Sequence, residues 1–456
     1  MKVLFIAPSQ YSIGELHNAI YLAKQLVSEG VQCHFLTSEK FIHYTKHAGM
    51  EATSLTRQVK QRRVVDACVT HFQPNLIILA DYHILEIEPP LVDLDHMIGF
   101  DIPIATIDSL CFATESPTLY NKLFEPTSHQ KEKSRMKYET RIRKIPNEIK
   151  VIRTCPINHP VQADDNIITV TLYTEPFSID AQIKKEIRST FACKDEDKLI
   201  MLSKAAWANM YVKMRRLEAG VHMDSSYSYE NIIQKFMVNY LGVKELPSKV
   251  VIVGIAPEDN FIHSTENDRI QFKPMPFLDL AAYEELLFSC DLFITDNITS
   301  CSMAKAIFGY VPVLSLQNSQ LTTNEQGEVS IPHHWEVNRK SFIPIMEKWQ
   351  TILSTKVYPF ITFPNGWVKE LAPLLTDNPW MEVVETAEIF NIQETGMKIH
   401  DLLYCERTKA AVYEQQKRYI QAVTEVPQAM EMVNKIIEKR EEICDESQSR
   451  VAKTIR

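Results

Sequence analysis

A polar turn that follows a short apolar run carries the groups of this chain best suited to bind an anion. Leu292–Ile294 is apolar, and the next eight residues form a polar stretch. Its chemically useful side chains are those of Asp296, Thr299, Ser300 and Ser302. If a helix begins here, its backbone N–H groups and these hydroxyls form a site for an anion such as a phosphate. The same residue types also favour plain N-capping. Asp296 would repel a phosphate unless a cation or a hydroxyl group of the ligand intervenes, so it either binds such a hydroxyl or caps the helix.

The elements around this turn are predicted to form a βαβ unit. Met303, Ala306 and Ile307 recur at helical spacing, and Gly309 stands where a helix end favours a left-handed residue. Val311–Leu314 is apolar without alternation, which is typical of a strand buried on both faces. Ligands of such sheets bind at the carboxyl ends of the strands, which is where the polar turn lies.

The first part of the chain repeats this plan. A strand over 2–8 precedes a polar turn and a helix whose apolar face is predicted to comprise Leu16, Ala19, Ile20, Ala23, Leu26 and Val27. Further strands are predicted over 31–37, 76–80 and 102–107, and Val151–Arg153 would be the last of this domain. Asp81 closes one strand, and Asp108 and Ser109 close another. We therefore expect these polar side chains at the ligand-binding edge of the sheet.

The rest of the chain continues with alternating strands and helices. Strands are predicted over 167–173, 199–203, 250–254 and 270–272, and helices over 229–241, 280–289, 340–353 and 407–439. The long polar segment 112–149 contains a basic cluster between Lys131 and Lys144. It is interpreted either as a solvated helical face or as an insertion that attracts a phosphate, an acceptor substrate or an anionic membrane surface.

Size and composition narrow the possible functions. A chain of 456 residues suits two domains of about 150–200 residues each. The net charge of −9 argues against nucleic acid as a partner. Nine cysteines without a CxxC pair favour a reducing compartment and predict neither disulfides nor zinc. No run approaches about 20 apolar residues, and we expect a cytoplasmic protein. Only 11 glycines are present, and dinucleotide-binding and P-loop motifs are missing.

The region 290–314 resembles the signature of the C-terminal domain of GT-B glycosyltransferases. The matching parts are the strand Cys290-Asp291-Leu292-Phe293-Ile294-Thr295, the polar turn, and Ala306-Ile307-Phe308-Gly309-Tyr310-Val311-Pro312-Val313. Phe272–Phe277 stands where the family has its base-binding loop, and 316–320 where a loop often contacts the sugar. Many of these enzymes have Gly-Gly in the turn, whereas Asp296–Thr299 stands here. This departure does not change the expected fold. It concerns the residues that are expected to bind the donor.

The resemblance implies an α/β protein with two Rossmann-like domains that face a cleft. The expected domains are 1–160 for the acceptor and 161–405 for the nucleotide-sugar donor, with 406–456 as a C-terminal helix and tail that would cross back to the first. The resemblance further implies a metal-independent glycosyltransferase that uses a nucleotide-sugar as co-substrate, without a cofactor, and acts on a small or lipid-like acceptor. The alternatives are a nucleotide-sugar epimerase or polyol-phosphate transferase on the same scaffold, or a GT-B-like scaffold that binds without turnover.

The resemblance also implies roles for individual residues. His17 would take the acceptor's proton, a task that suits imidazole, and Asp108 or Asp81 would orient it. Ser12, Gly14 and Asp81 are the expected acceptor-binding residues. The expected donor-binding residues are Ser203, Lys204, Pro274, Phe277, Asp296, Thr299, Ser300, Ser302, Gln317 and Asn318. Lys204 would supply positive charge, Pro274 and Phe277 would flank a base, and the two amides would bind sugar hydroxyls. Each of these residues also has an ordinary structural interpretation, as a cap, a packing side chain or a surface group.

Overall fold

A computed structural model describes most of the chain. The described residues are 1–10, 12–56, 61–87, 91–111, 118–120, 139–159, 166–203, 229–255, 268–276, 278–317, 322–323, 329–330, 367–389 and 391–438. The chain divides into two compact units. The first comprises Met1–Thr118, Arg141–Glu175 and Gln421–Arg456, and the second Leu119–Thr140 and Pro176–Ile420.

The elements alternate along the chain. The strands are β1 (Lys2–Ala7), β2 (Gln32–Ser38), β3 (Glu51–Leu55), β4 (Leu76–Leu79), β5 (Ile104–Ile107), β6 (Thr118–Tyr120), β7 (Glu139–Arg141), β8 (Lys150–Cys155), β9 (Ile167–Thr171), β10 (Lys198–Ser203), β11 (Val250–Ile255), β12 (Ile270–Met275), β13 (Leu292–Thr295), β14 (Val313–Gln317), β15 (Thr322–Thr323), β16 (Val329–Ser330) and β17 (Glu385–Glu388). The helices are α1 (Gly14–Ser28), α2 (Ile42–His47), α3 (Gln61–Phe72), α4 (Ile84–Ile87), α5 (Leu94–Ile98), α6 (Ala181–Thr190), α7 (Tyr229–Leu241), α8 (Leu280–Ser289), α9 (Cys301–Phe308), α10 (Trp367–Leu375), α11 (Trp380–Val383), α12 (Ile392–Tyr404) and α13 (Glu406–Thr424). Residues 429–438 are also helical.

The first unit is built on a seven-stranded sheet in the order β3-β2-β1-β4-β5-β8-β9. All its strand pairs are parallel. The central strands are fully apolar and buried, with Val3–Ile6 and Leu76–Ile78 at 0% exposure. The strand order reverses between β1 and β4, which is the topological switch point where open α/β sheets bind ligands.

The second unit repeats the arrangement with a six-stranded parallel sheet in the order β12-β11-β10-β13-β14-β17. Its switch point lies between β10 and β13. Helices α7 and α12 pack on this sheet and supply much of its core, including Phe236, Tyr240 and Ile399. The predicted βαβ unit is confirmed, because β13 and β14 pair in parallel on either side of α9.

Several sequence predictions need correction at the level of single elements. The apolar face predicted for α1 is buried except for Val27, which is 47% exposed. Val151–Arg153 lies in β8 but does not form the last strand of its sheet, because β9 pairs beside it. The predicted boundary at residue 160 therefore lies within the first unit. The strand β3 was missed because it is a polar edge strand in which only Leu55 is buried.

Gly309 does not adopt the left-handed conformation predicted from its position. Its φ is −91°, and the following residue, Tyr310, has a φ of 55° instead. Glycine is required here for a different reason. A Cβ at position 309 would lie 2.5 Å from Cδ1 of Phe288, so the close approach of that ring excludes a side chain.

The long helix predicted at 407–439 is interrupted. Helix α13 ends at Thr424, and helical structure resumes at 429. Pro427 lies between the two segments, where it disfavours helix in the residue before it and has no N–H to donate. Thr171 donates to the Pro427 carbonyl at 2.9 Å, and Ala429 donates to Gln25 Oε1 at 3.0 Å. The segment after α13 thus packs on the first unit.

Some predictions fall on residues outside the described ranges. They are the helix at 340–353, most of the basic segment 112–149, and the side chains of Lys204, Phe277 and Asn318. Among the described residues, none of the helices combines the length and the apolar character needed to cross a membrane.

Candidate functional site

A cluster of buried ionisable side chains lies at the carboxyl edge of the first sheet. Asp81 follows β4 and is 1% exposed, and Asp108 follows β5 and is 0% exposed. One ligand atom from each of them and one from His83 all lie within 4.8 Å of one another. The sequence analysis placed both carboxylates at this edge. It missed His83, which is itself 2% exposed.

His83 has a carboxylate next to each of its ring nitrogens. Nδ1 pairs with Oδ1 of Asp81, and Nε2 lies 3.8 Å from Oε1 of Glu15. The second oxygen of Asp81 accepts hydrogen bonds from the backbone N–H of Ser109, at 3.0 Å, and from its hydroxyl. Asp81 is thereby fixed from the neighbouring strand end, and it in turn fixes the imidazole.

Glu15 brings a third carboxyl group to the cluster from the first turn of α1. Its side chain is 13% exposed, against 3% for His83 and 0% for Asp81. Burial raises the pKa of the Glu15 carboxyl, and the positive charge of His83 opposes that shift. A carboxyl group with a raised pKa at the edge of a ligand-binding sheet is suited to exchange protons.

The charges of the cluster nearly balance. Burial lowers the pKa of His83, but Asp81, Glu15 and Asp108 outweigh that effect and raise it to about 9. His83 is therefore protonated at neutral pH. Arg153, on β8 and 5% exposed, contributes a second cation, with Nη2 3.3 Å from Oδ2 of Asp108. The two aspartates thus face two cations, His83 and Arg153, and Glu15 is a third acidic group in the cluster.

The same three residues bear on the question of a metal ion. Asp81, His83 and Asp108 each offer one ligand atom, and carboxylate–imidazole sets of this kind suit several divalent cations. A ligating imidazole must be neutral, so a metal ion bound here would have to displace the proton of His83. The absence of a metal stays a prediction.

The loop after β5 closes the inner side of the cluster. Cys111 has a left-handed φ of 59°, and its thiol donates to Oδ1 of Asn158 at 2.8 Å. Burial raises the pKa of Cys111 to about 12, so it is present as the thiol. Asn158 donates to the carbonyls of Ser109 and Thr154, at 3.1 Å each. The Asn158 side chain therefore ties the end of β8 to the loop that carries Asp108.

The predicted acid–base residue His17 lies on the same helix as Glu15, two positions further on, and is half-buried. Two helical positions correspond to a rotation of about 200°, so the two side chains leave opposite sides of α1. From α1, the Glu15 carboxylate lies 3.8 Å from the His83 ring. Ser12 and Gly14 precede Glu15, and the hydroxyl of Ser12 hydrogen-bonds its carboxyl.

Local signals explain which cluster residues the sequence analysis missed. An acidic residue in a first helical turn is common because it complements the helix dipole, so Glu15 does not stand out. A buried histidine after a strand carries no signature either. Arg153 was detectable, since a charged residue in the interior of a strand must find a partner when the strand is buried.

The carboxyl edge of the second sheet is rich in hydroxyl groups. Ser203 ends β10 and Ser302 lies in the first turn of α9, on either side of the switch point. Both hydroxyls lie near the phenol of Tyr283 on α8, whose buried oxygen makes no hydrogen bond with other described residues. Burial raises the pKa of Tyr283 to about 12, and the two serines lower it by less. Two predicted donor-binding residues are thus brought together, and Tyr283 is one that the sequence analysis missed.

The turn between β13 and α9 is organised by its own hydrogen bonds. Ser300 is the N-cap of α9, with its hydroxyl accepting from the Met303 N–H at 3.4 Å. Thr299 donates from its backbone and its hydroxyl to Oδ1 of Asn297, at 3.1 Å each. Thr299 and Ser300 are 9% and 8% exposed, and Asp296 is 5% exposed. The capping interpretation is confirmed for Ser300, whereas Ser302 is half-buried and lies within the helix.

The remaining predicted donor-binding residues lie along the same edge. Gln317 ends β14, and its amide donates to Glu388 at the end of β17 at 3.4 Å. Pro274 lies in the edge strand β12, next to Gly254 of β11. Lys204, Phe277 and Asn318 lie outside the described residues.

Comparisons with known proteins concern both family and fold. The model of a family described as "Family of unknown function (DUF6365)" matches residues 22–442. No curated protein matches the chain. Among solved structures, the spinosyn forosaminyltransferase SpnP is 13% identical with a TM-score of 0.50, and the match covers 97% of this chain and 99% of that one.

Two further glycosyltransferase structures are similar. VinC in complex with DTDP is 11% identical with a TM-score of 0.48, covering 97% of this chain and all of that one. SnogD from Streptomyces nogalater is 12% identical with a TM-score of 0.47, covering 95% and 99%. At these identities the similarity concerns the fold. The expected fold class is confirmed: the chain has two parallel α/β sheets, as in the GT-B architecture.

Proposed function

We propose that this chain, which belongs to the family of unknown function DUF6365, is a glycosyltransferase that moves a sugar from a nucleotide-sugar to a small-molecule or lipid-like acceptor. One observation carries this proposal. Both sheets place polar side chains at their topological switch points, where α/β sheets bind ligands, and the two sets differ in chemistry. One set contains acid–base groups and the other contains hydroxyls at a helix start.

The hydroxyl set of the second unit suits the donor. The start of α9 offers backbone N–H groups to a diphosphate, and Ser203, Ser302 and Tyr283 offer hydroxyls beside it. Such groups stabilise the negative charge that develops on the leaving diphosphate. Lys204, Pro274, Phe277, Gln317 and Asn318 remain predicted contacts of the donor, and Asp296 a predicted contact of the sugar.

The acid–base set of the first unit suits the acceptor. As the acceptor oxygen bonds to the sugar carbon, that carbon's bond to the diphosphate breaks and the diphosphate takes the electron pair. The acceptor must also lose its hydroxyl proton. We assign this proton to Glu15 rather than to His17, because Glu15 is the member of the cluster nearest to solvent and has a raised pKa. Glu15 then releases the proton to water.

Nucleotide binding is the first test. Thermal unfolding is followed with a panel of nucleoside diphosphates and nucleotide-sugars, and at least one base should raise the midpoint. Ser302→Ala and Tyr283→Phe should reduce that shift. Thr190→Ala, which removes an exposed hydroxyl from α6, is the matched control and should leave it unchanged. If no nucleotide shifts the midpoint, the donor site and the transferase proposal both fail.

Turnover is the second test, and slow transfer to water allows it before the acceptor is known. Release of the nucleoside diphosphate should accelerate when a mixture of small hydroxylated and lipid-like acceptors is added. Glu15→Gln should lower the rate by roughly 10² or more, whereas His17→Gln should retain most of it. A loss in His17→Gln with Glu15→Gln active would return the role to His17. Interconversion of nucleotide-sugars without an acceptor would indicate an epimerase, and binding without turnover an inactive scaffold.

A further inference from the structure

Glu15, His83 and Asp81 form a row of three ionisable side chains that leads from the sheet edge into the interior. Side-chain exposure falls along the row from 13% through 3% to 0%. Glu15 comes from the first turn of α1, and Asp81 and His83 come from the loop after β4. Folding therefore has to assemble the row at the switch point.

The inner end of the row is rigidly held. Oδ1 of Asp81 accepts from the His83 backbone N–H at 3.3 Å and pairs with its Nδ1, while Oδ2 accepts twice from Ser109. This arrangement fixes the position of the imidazole. Because a carboxylate oxygen lies beside each ring nitrogen, the two contacts are ion pairs that favour the imidazolium form.

Other charged and titratable groups also face His83, and together they favour its positive charge. Asp108 lies within the same 4.8 Å cluster and is itself offset by Arg153. Cys111, from the loop after β5, interacts with Asp81, Asp108 and Arg153 as a neutral thiol. The Ser12 hydroxyl faces Glu15.

We propose that His83 is a positioning residue whose imidazolium, anchored by Asp81, keeps its proton throughout the reaction and holds Glu15 as the group that exchanges one. This inference rests on the proposed glycosyl transfer. Glu15 accepts the acceptor's hydroxyl proton and later gives it to water, and His83 neither gains nor loses a proton in the cycle. The fixed positive charge stabilises the Glu15 carboxylate and thereby lowers the pH at which Glu15 can act as a base.

The pH profile of kcat/KM separates this role from two others. Without the imidazolium, the Glu15 carboxylate is less stable, so the acidic limb of the His83→Gln profile should move up by about one pH unit or more. Activity lost at pH 7 should then recover toward pH 9. A His83 that is itself the base would give a variant inactive at every pH. A merely structural His83 would give a lower profile of unchanged shape.

The matched control is another histidine–aspartate pair in the same unit. His96 on α5 lies 2.6 Å from Asp66 on α3, away from the sheet edge. His96→Gln should leave the profile unchanged. Asp81→Asn provides a second variant should His83→Gln unfold. It removes the anchor of the imidazolium, so His83 should lose its proton at lower pH.

A measurement on the wild-type protein tests the row without any turnover. Nitrogen NMR of ¹⁵N-histidine-labelled protein, with the His83 signal assigned from the His83→Gln spectrum, should show both ring nitrogens protonated at pH 7.5. The same state should persist in Glu15→Gln, because Asp81 remains. A neutral His83 ring at pH 7.5, or a His83→Gln profile of unchanged shape, would overturn the inference. An imidazolium in a protein that turns over no nucleotide-sugar would leave the row intact and refute the proposed function instead.

Discussion

Trp380 donates a hydrogen bond of 2.9 Å from its indole Nε1 to the carbonyl oxygen of Ile298, in the turn that precedes α9. Both residues are 0% exposed. The indole packs against Tyr419 of α13, with ring centroids 6.2 Å apart, and the backbone N–H of Trp380 donates to Oδ1 of Asn378 at 2.9 Å. The backbone of the proposed donor-binding turn is thus positioned by a side chain that lies 82 residues away in sequence.

Replacing Trp380 by Phe should therefore weaken both the fold and the donor site. The variant leaves the buried Ile298 carbonyl without its donor and creates a small cavity, which together cost about 2 kcal/mol of unfolding free energy. Urea unfolding measures that loss, and nucleotide titration should show weaker binding. Tyr413→Phe is the control, because Tyr413 is an aromatic residue of α13 that is 44% exposed, and it should change neither quantity. If the destabilised Trp380→Phe protein kept the wild-type nucleotide affinity, the position of this turn would not contribute to donor binding.

The contact between Gly309 and Phe288 allows a test of close packing. Gly309→Ala places a Cβ 2.5 Å from the Phe288 ring, so it should destabilise the second unit by about 1–3 kcal/mol despite the better helix propensity of alanine. A double-mutant cycle with Phe288→Leu checks the cause, because the smaller side chain should relieve much of the cost. Equal costs in both backgrounds would show that Phe288 is not the obstacle.

The pKa shifts at the first sheet predict how stability depends on pH. The pKa of His83 rises from 6.5 to about 9 on folding, so the folded state binds this proton more tightly. The resulting stabilisation is complete below pH 6.5 and is lost as the pH rises through 9, with a slope of at most about 1.4 kcal/mol per pH unit. The raised pKa of Glu15 has the same sign, and its contribution begins to fall above pH 4.5.

Denaturant unfolding at several pH values between 6.5 and 8 checks this prediction. The wild-type free energy of unfolding should fall across the interval, and His83→Asn should flatten the dependence. His96→Gln should keep the wild-type slope. A wild-type stability that is constant or increases over this interval would contradict the protonated state of His83.

The fold was largely predictable because its central elements carry strong local signals. Helix α8 is found at Leu280–Ser289 as predicted, and Asp279 caps its start. The strands that were identified are runs of bulky apolar residues buried on both faces. The polar edge strand β3 was missed, because edge strands need no continuous apolar run. The place of β9 beside β8 was missed because parallel pairing joins segments that share no local pattern.

The candidate site was predictable only in part, and the reason lies in how its contacts form. Asp81 and Asp108 could be placed because each follows an apolar strand whose end marks the ligand edge. The partner of Asp81 could not, since the pairing with His83 depends on the conformation of the loop after β4. Likewise, the choice between Glu15 and His17 depends on the rotation of α1 about its axis. The sequence does not give this rotation, because both residues lie near the start of the helix.

Arg188 offers a last test, at the amino edge of the second sheet. Its guanidinium donates to Oδ2 of Asp291 at 2.9 Å and to the carbonyls of Asp197 and Lys194, at 2.7 and 3.2 Å. Burial lowers the pKa of Arg188, and Asp291 more than offsets this and raises it. Asp291 also accepts from the Leu199 N–H at 2.7 Å, so this network joins the starts of β10 and β13. Lysine cannot reproduce the planar fork that serves these acceptors.

Arg188→Lys should accordingly lower the unfolding free energy by about 2–3 kcal/mol, because a lysine cannot serve the carbonyls of Asp197, Lys194 and Ser289 together with the Asp291 carboxylate. Nucleotide affinity should remain at the wild-type value, since Ser203 and Ser302 lie at the opposite edge of the same sheet. The two quantities are measured by urea unfolding and by nucleotide titration at a temperature where the variant is folded. A matching loss of affinity would mean that the amino edge also shapes the donor site, and that strands β10 and β13 transmit its distortion along their whole length.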